Sequence, residues 1–107
     1  MTTFQDREQA FEAKFAHDEE MQFRASARRN KMLGLWAAEL MGLTDKEAKA
    51  YAKTVVKADL QEAGHEDVVR KITADLQGKV TSDAIREKMN ELLPRAKSKI
   101  MKKLAKI

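Results

Sequence analysis

Helix breakers are nearly absent from this chain, and that constrains its fold more than any other feature. Its 107 residues include four Gly and one Pro, and no run of alternating β-branched residues marks a strand. A chain so poorly punctuated and so rich in helix formers reads as all-α. Of its hydrophobic residues, 16 are Ala, which suits helices that approach one another closely. The length suffices for one domain and one small core.

Apolar spacing divides the chain into helices. In "MLGLWAAELMG", Met32, Leu33, Trp36, Ala37 and Leu40 share one helical face, and Gly42 is the expected left-handed residue that ends the helix. "LTDKEAKAYAKTVVKADLQEAG" follows, with Thr44 and Glu47 as a candidate capping box. Its expected buried stripe is Ala48, Tyr51, Ala52, Val55 and Val56, and Gly64 closes it. The third helix, in "HEDVVRKITADLQG", aligns Val68, Val69, Ile72 and Leu76, carries Glu66 and Asp67 near its positive end, and stops at Gly78. The fourth begins at Thr81 or Ser82. Its stripe is the longest: Ile85, Met89, Leu92, Leu93, Ala96, Ile100, Leu104 and Ile107. Pro94 lies inside that stripe, so a kink or a break is expected there. Short connections favour antiparallel neighbours. The reading is a four-helix bundle over residues 20–107, with a protruding or mobile N-terminal helical arm over residues 1–19.

The arm carries three of the four phenylalanines. On a helix Phe4, Phe11 and Phe15 fall at about 40°, 20° and 60°, one narrow sector. Extended without a break, the same sector meets Asp18, Gln22 and Arg29 before it reaches Leu33, Trp36 and Leu40, so polar residues cut the stripe in the middle. Two readings follow. Aromatic residues at helical spacing are core more often than not, and the arm then packs along the bundle. Alternatively the arm has no internal partner and becomes ordered when a partner groove accepts its rings. Its acidity, two basic against six acidic residues in the first 20, favours a basic partner surface.

Charge and motif content exclude several functions. The net charge of +4 is concentrated at the C-terminus: residues 95–107 hold six Lys or Arg and no acid, leaving residues 1–94 at net −2. Only "SARRNK" and this tail gather basic residues, and no aromatic platform or zinc motif accompanies them, so a nucleic-acid partner is not expected. The tail's apolar positions continue the stripe of the fourth helix, which makes it a core helix with a solvated basic face rather than a membrane-surface helix. With no Cys there is neither a disulfide framework nor a thiolate metal site. His17 beside Asp18, Glu19 and Glu20 is not a metal cluster, because adjacent helical positions diverge. His65, at a helix start, reads as solvated; Asp59, on the edge of its helix's stripe, is a candidate half-buried carboxylate, although such a residue more often snorkels or caps a neighbour. No phosphate-cradling loop or nucleophile–base set occurs. The chain is therefore not expected to be an enzyme, and no cofactor or metal is expected. Without a long apolar stretch or a signal-peptide layout, a cytoplasmic location is expected.

The strings "TTFQDREQAFEAKFAHDEEMQF", "ARRNKMLGLWAAELMG", "EAKAYAKTVV", "AGHEDVVRKITADLQGK" and "IREKMNELL" resemble the alphaproteobacterial zeta subunits, small four-helix inhibitors of ATP hydrolysis by the F-type ATP synthase. The resemblance spans about residues 2–93. It implies that the N-terminal segment is the inhibitory element: it enters a catalytic interface of the enzyme's head and reaches toward the central stalk, blocking rotation. By position, Phe4, Phe11 and Phe15 are then the apolar anchors, and Asp6, Arg7, Glu8, Glu12 and Lys14 make polar contacts. The partners implied are the catalytic head and central stalk, with no nucleic acid and no membrane insertion. The chain would be a monomer when free and peripheral to the inner membrane through the synthase. Pro94 and the lysine-rich ending depart from the family's usual C-terminus. Sequence physics alone leaves a second reading open, a small helical adaptor that binds another protein through the same arm.

Overall fold

The computed structural model describes residues 19–59 and 65–105. Among the described residues there are four helices: α1 (Glu19–Leu40), α2 (Asp45–Asp59), α3 (Glu66–Asp75) and α4 (Ser82–Ala105). Helix α1 is the hub, packing against each of the other three, while α3 joins α2 on one side and α4 on the other. No strand occurs among the described residues.

Apolar periodicity dictates which faces meet. Leu33 and Ala37 of α1, Val55 of α2, Val68, Val69, Ile72 and Leu76 of the α3 region, and Ile85, Met89 and Leu92 of α4 form the main core. Half-buried Met32, Trp36, Met41, Tyr51 and Val80 flank it. A second, smaller cluster joins Ala25 to Ile100, with Met21, Leu93 and Met101 beside them. Early α1 thus meets late α4, as antiparallel packing requires. The described residues form a four-helix end and a two-helix end, and residue 19 lies at the latter.

The helix boundaries follow local chemistry. At the end of α1, Gly42 takes φ 78°, its N–H donates to the Glu39 carbonyl (3.0 Å), and the Leu43 N–H donates to the Ala38 carbonyl (2.9 Å). These paired bonds are the Schellman motif that a glycine at this position permits. Gly78 (φ 78°) and Gln77 (φ 54°) turn the chain after α3. Thr81 starts α4, its hydroxyl accepting from the Ala84 N–H at 3.1 Å, as an N-cap should.

Four expectations change. The capping box at Thr44 is not formed: Asp45 enters α2 at φ 43°, and the Thr44 carbonyl, not its hydroxyl, accepts from the Glu47 N–H (3.0 Å). Leu40 leaves the buried face and is 46% exposed, because α1 ends there before another turn can cover it. Trp36 is half-buried rather than fully so, with the Lys88 ammonium 5.8 Å from its ring centroid. Pro94 does not break α4, which is helical through it from Ser82 to Ala105. Pro94 and Asn90, whose carbonyl loses its partner, are both exposed, so water rather than a neighbouring helix meets the freed group. Gly64 and the side chains of Leu104 and Ile107 lie outside the described residues.

Candidate partner-binding site

Phe4, Asp6, Arg7, Glu8, Phe11, Glu12, Lys14 and Phe15 all precede residue 19 and lie outside the described residues. What the structure describes is the platform they join. Glu19 and Glu20 occupy the first turn of α1, where the helix dipole favours acids, and Glu20 accepts from Arg24 at 2.8 Å. One turn further in, Phe23 projects from the helix with 56% of its surface exposed, unusual for a ring in so small a protein. Phe23, Ala27 and Ile100 line a shallow groove between α1 and α4, rimmed by Arg24, Arg28 and Lys103, with a volume of about 290 Å³.

A buried polar cluster anchors this platform to the rest of the fold. Arg29 and Asn30 are 4% and 1% exposed. The Arg29 guanidinium donates to Asn30 Oδ1 through Nε (3.2 Å) and Nη2 (3.0 Å), and Nη2 lies 2.9 Å from His65 Nδ1. Asn30 Nδ2 donates to Asp59 Oδ2 at 2.8 Å, and the other Asp59 oxygen lies 3.3 Å from His65 Nδ1. Burial pulls the Arg29 guanidinium below its ordinary value, and the Asp59 carboxylate opposes that pull. Three elements are stitched together: mid-α1, the last residue of α2, and the residue before α3. Replacing Asp59 with Ala is expected to cost about 3 kcal/mol, because it strands a buried amide donor and removes the anion that compensates a buried cation. Urea unfolding of the two proteins measures it.

A second cluster lies at the four-helix end. Asp75 Oδ2 accepts from the Tyr51 hydroxyl (2.8 Å) and the Lys71 ammonium (2.9 Å), and Lys71 also sits 5.2 Å from the Tyr51 ring centroid. Burial alone would raise the Asp75 carboxyl, but the hydrogen bonds from Lys71 and Tyr51 outweigh it and hold the group below its ordinary value. Burial and the bond to Asp75 push the Tyr51 hydroxyl up. A depressed carboxylate stabilises the fold fully above its unfolded pKa, near 3.8, and that contribution is lost as pH falls through the lower folded value. Tyr51→Phe is therefore expected to cost about 1 kcal/mol at neutral pH. The difference from the parent protein should shrink as pH falls below about 3.8, which paired urea titrations at neutral and acid pH test.

Sequence reasoning missed Arg29, Asn30 and His65 as structural groups. The signal for Arg29 was its phase: it falls in the sector shared by Leu33, where a charge was read as interrupting the apolar stripe rather than as buried within it. His65, read as solvated, has a half-exposed side chain that is engaged on one ring nitrogen. Asp59, expected more often to snorkel or cap a neighbour, is instead largely buried, at 14% side-chain exposure. Within "SARRNK", Arg29 and Asn30 turn inward. Among the described residues there is no group of acids and histidines that could hold a metal, and no helix long and apolar enough to cross a membrane.

The described helices form a small bundle whose buried polar groups tie its elements together, with an exposed aromatic groove between α1 and α4. The family model for ATPase inhibitor subunit zeta matches residues 1–99. The chain belongs to that family, whose members inhibit the F-type ATP synthase rather than catalyse a reaction. A protein known from its solution NMR structure is 53% identical and superposes with a TM-score of 0.73, covering 78% of this chain and 98% of its own. No curated protein matches. The matched region ends at residue 99, so the last eight residues lie outside it.

Proposed function

We propose that this protein inhibits ATP hydrolysis by inserting residues 1–19 into a catalytic interface of the F-type ATP synthase head, toward the central stalk, while residues 20–107 remain outside as the holder. The observation that carries this reading is the extent of the family match, which starts at residue 1 and so includes the aromatic arm. The described helices support it from the other side. Their core clusters interlock α1 to α4, which gives the arm a rigid mount. Phe4, Phe11 and Phe15 act as anchors in one sector, and Asp6, Arg7, Glu8, Glu12 and Lys14 supply polar contacts around them. Blocking rotation requires bulk in the right place rather than chemistry, which agrees with a sequence that offers no nucleophile and base. The protein would act in the cytoplasm, held at the inner membrane only through the synthase.

ATP hydrolysis by a purified F-type head, with and without the full chain, tests the reading. Inhibition that saturates at one chain per head and disappears when residues 1–18 are removed is the expected result. Undiminished inhibition by the shortened chain would place the inhibitory element in the bundle instead.

A further inference from the structure

At the two-helix end the second core cluster draws on α1 and α4 alone: Ala25 and Ile100 pack with Met21, Leu93 and Met101. The groove beside that cluster has Phe23 and Ala27, one helical turn apart, on its α1 side and Ile100 on its α4 side. Phe23 is 56% exposed and Ile100 only 7%, so the apolar surface is recessed between two helices rather than projecting from one. At about 290 Å³ the groove lies at the bottom of the size range of small-molecule sites, about 300–1,000 Å³. It suits side chains of a third helix laid between the two. Its rim is positive. Arg24 and Arg28 stand one turn apart on α1, and Lys103 lines the α4 side. Arg24 bonds Glu20 in a pair exposed at both ends, which exchanges partners at little cost, and residues 95–105 of the opposite wall contain no acid. Phe23 and Arg28 lie roughly 6 and 14 Å along the helix axis from Glu19, the first residue of α1.

We propose that this groove docks an acidic amphipathic helix of the synthase head, at the mouth of the interface that the arm enters. An apolar side chain of that helix packs on Phe23 and Ala27, carboxylates one turn apart meet Arg24 and Arg28, and a further one meets Lys103. This rests on the reading of residues 1–19 as the inserted element, and it adds a contact that holds the bundle outside. Nearness to residue 19 decides the partner: the surface that surrounds the inserted segment comes within one or two helical turns of Phe23. Two other occupants fit less well. A second copy of this chain, related by a two-fold axis, sets the same patch against itself and brings cation against cation. A lipid surface takes up a projecting apolar face, and this one is recessed. With the arm bound, the groove meets its helix at the high effective concentration that a tether provides, so a contact of modest area strengthens binding.

Binding of the full chain to a purified F-type head tests the proposal, with three variants beside the parent: Phe23→Ser, Arg28→Glu combined with Lys103→Glu, and Lys46→Glu. None of these side chains belongs to a core cluster, so melting temperature serves as the folding control. The charge-reversed pair is expected to bind at least about tenfold more weakly than the parent at low ionic strength. That difference should shrink severalfold near 1 M salt, where the screening length falls to about 3 Å. Phe23→Ser should weaken binding about tenfold at either salt concentration, and Lys46→Glu, exposed near the start of α2, less than about twofold. A photoreactive phenylalanine analogue at position 23 should join a segment of the head that carries acids one helical turn apart. Parent-like binding by either groove variant overturns the proposal, as does a photoproduct with a second copy of this chain or with a segment lacking acids. Parent binding to phosphatidylglycerol vesicles that the groove variants lose would also overturn it. Weakened groove variants beside an undiminished Phe11→Ala protein would keep the groove and remove the arm reading, and the converse would keep the arm and remove the groove. A parent chain that does not bind the head removes both.

Discussion

Replacing Gly34 with alanine is expected to lower the stability of this protein by about 2 kcal/mol, which is on the order of 10 °C in melting temperature for a domain of this size. Gly34 is buried mid-way along α1, where a glycine ordinarily weakens a helix by roughly 1 kcal/mol relative to alanine. Propensity alone therefore favours the substitution. Space opposes it. A Cβ built at Gly34 would stand 2.7 Å from the Ala52 Cα, 3.2 Å from its Cβ and 3.2 Å from a Val55 methyl. The first of these is backbone, so relief requires α1 and α2 to move apart and the Leu33–Val55 region of the core to loosen with them. Gly42 provides the contrast. A Cβ there meets nothing within 4 Å, but φ is +78°, so Gly42→Ala should cost about 1 kcal/mol through the backbone alone. Thermal unfolding of both variants decides the matter: a Gly34→Ala protein more stable than the parent would mean that the helices have room to spare.

That contact illustrates what was legible in the sequence and what was not. The number of helices, the stripe from Ile85 to Ile100 and the glycine stop at Gly42 follow from periodicity and backbone sterics, which are local properties. Gly34 read as an unremarked interior residue because its reason lies on α2, 18 residues away. Arg29 and Asn30 likewise are buried only because Asp59 and His65 arrive from elsewhere in the chain to bond them. Pro94 was expected to kink or break α4; the helix runs through it without a break, with Pro94 and Asn90 on an exposed face that tertiary packing decides. Thr44 fails as a cap because the left-handed Asp45 that follows it puts the carbonyl where the hydroxyl was expected to act. The arm's residues were legible differently, through their resemblance to a family and through the phase of three rings, and neither depends on where the arm sits in the free protein.

That phase gives the sharpest functional expectation. If Phe4, Phe11 and Phe15 are buried together in a groove of the synthase head, truncating one of them to alanine should remove on the order of 2 kcal/mol of binding, about a thirtyfold loss of inhibitory potency. Ala13, at about 220° on the same helix, points away from the ring sector. Ala13→Lys should weaken inhibition only slightly, although it adds a charge and a long side chain. Neither substitution touches a residue of the described core clusters, so the melting temperature serves as an internal control and should stay within a degree or two. The comparison is informative because general arm disruption and specific ring burial make opposite rankings. A lysine that damages inhibition as much as the lost ring would mean that the aromatic sector is not the contact face. Losses of tenfold or less from each of the three Phe→Ala substitutions would rule out ring burial as the source of inhibition, even with the protein bound to the synthase. A thirtyfold loss from Phe11→Ala, alongside a near-neutral Ala13→Lys, would place the rings in the groove and leave the polar residues Asp6, Arg7, Glu8, Glu12 and Lys14 to set orientation around them.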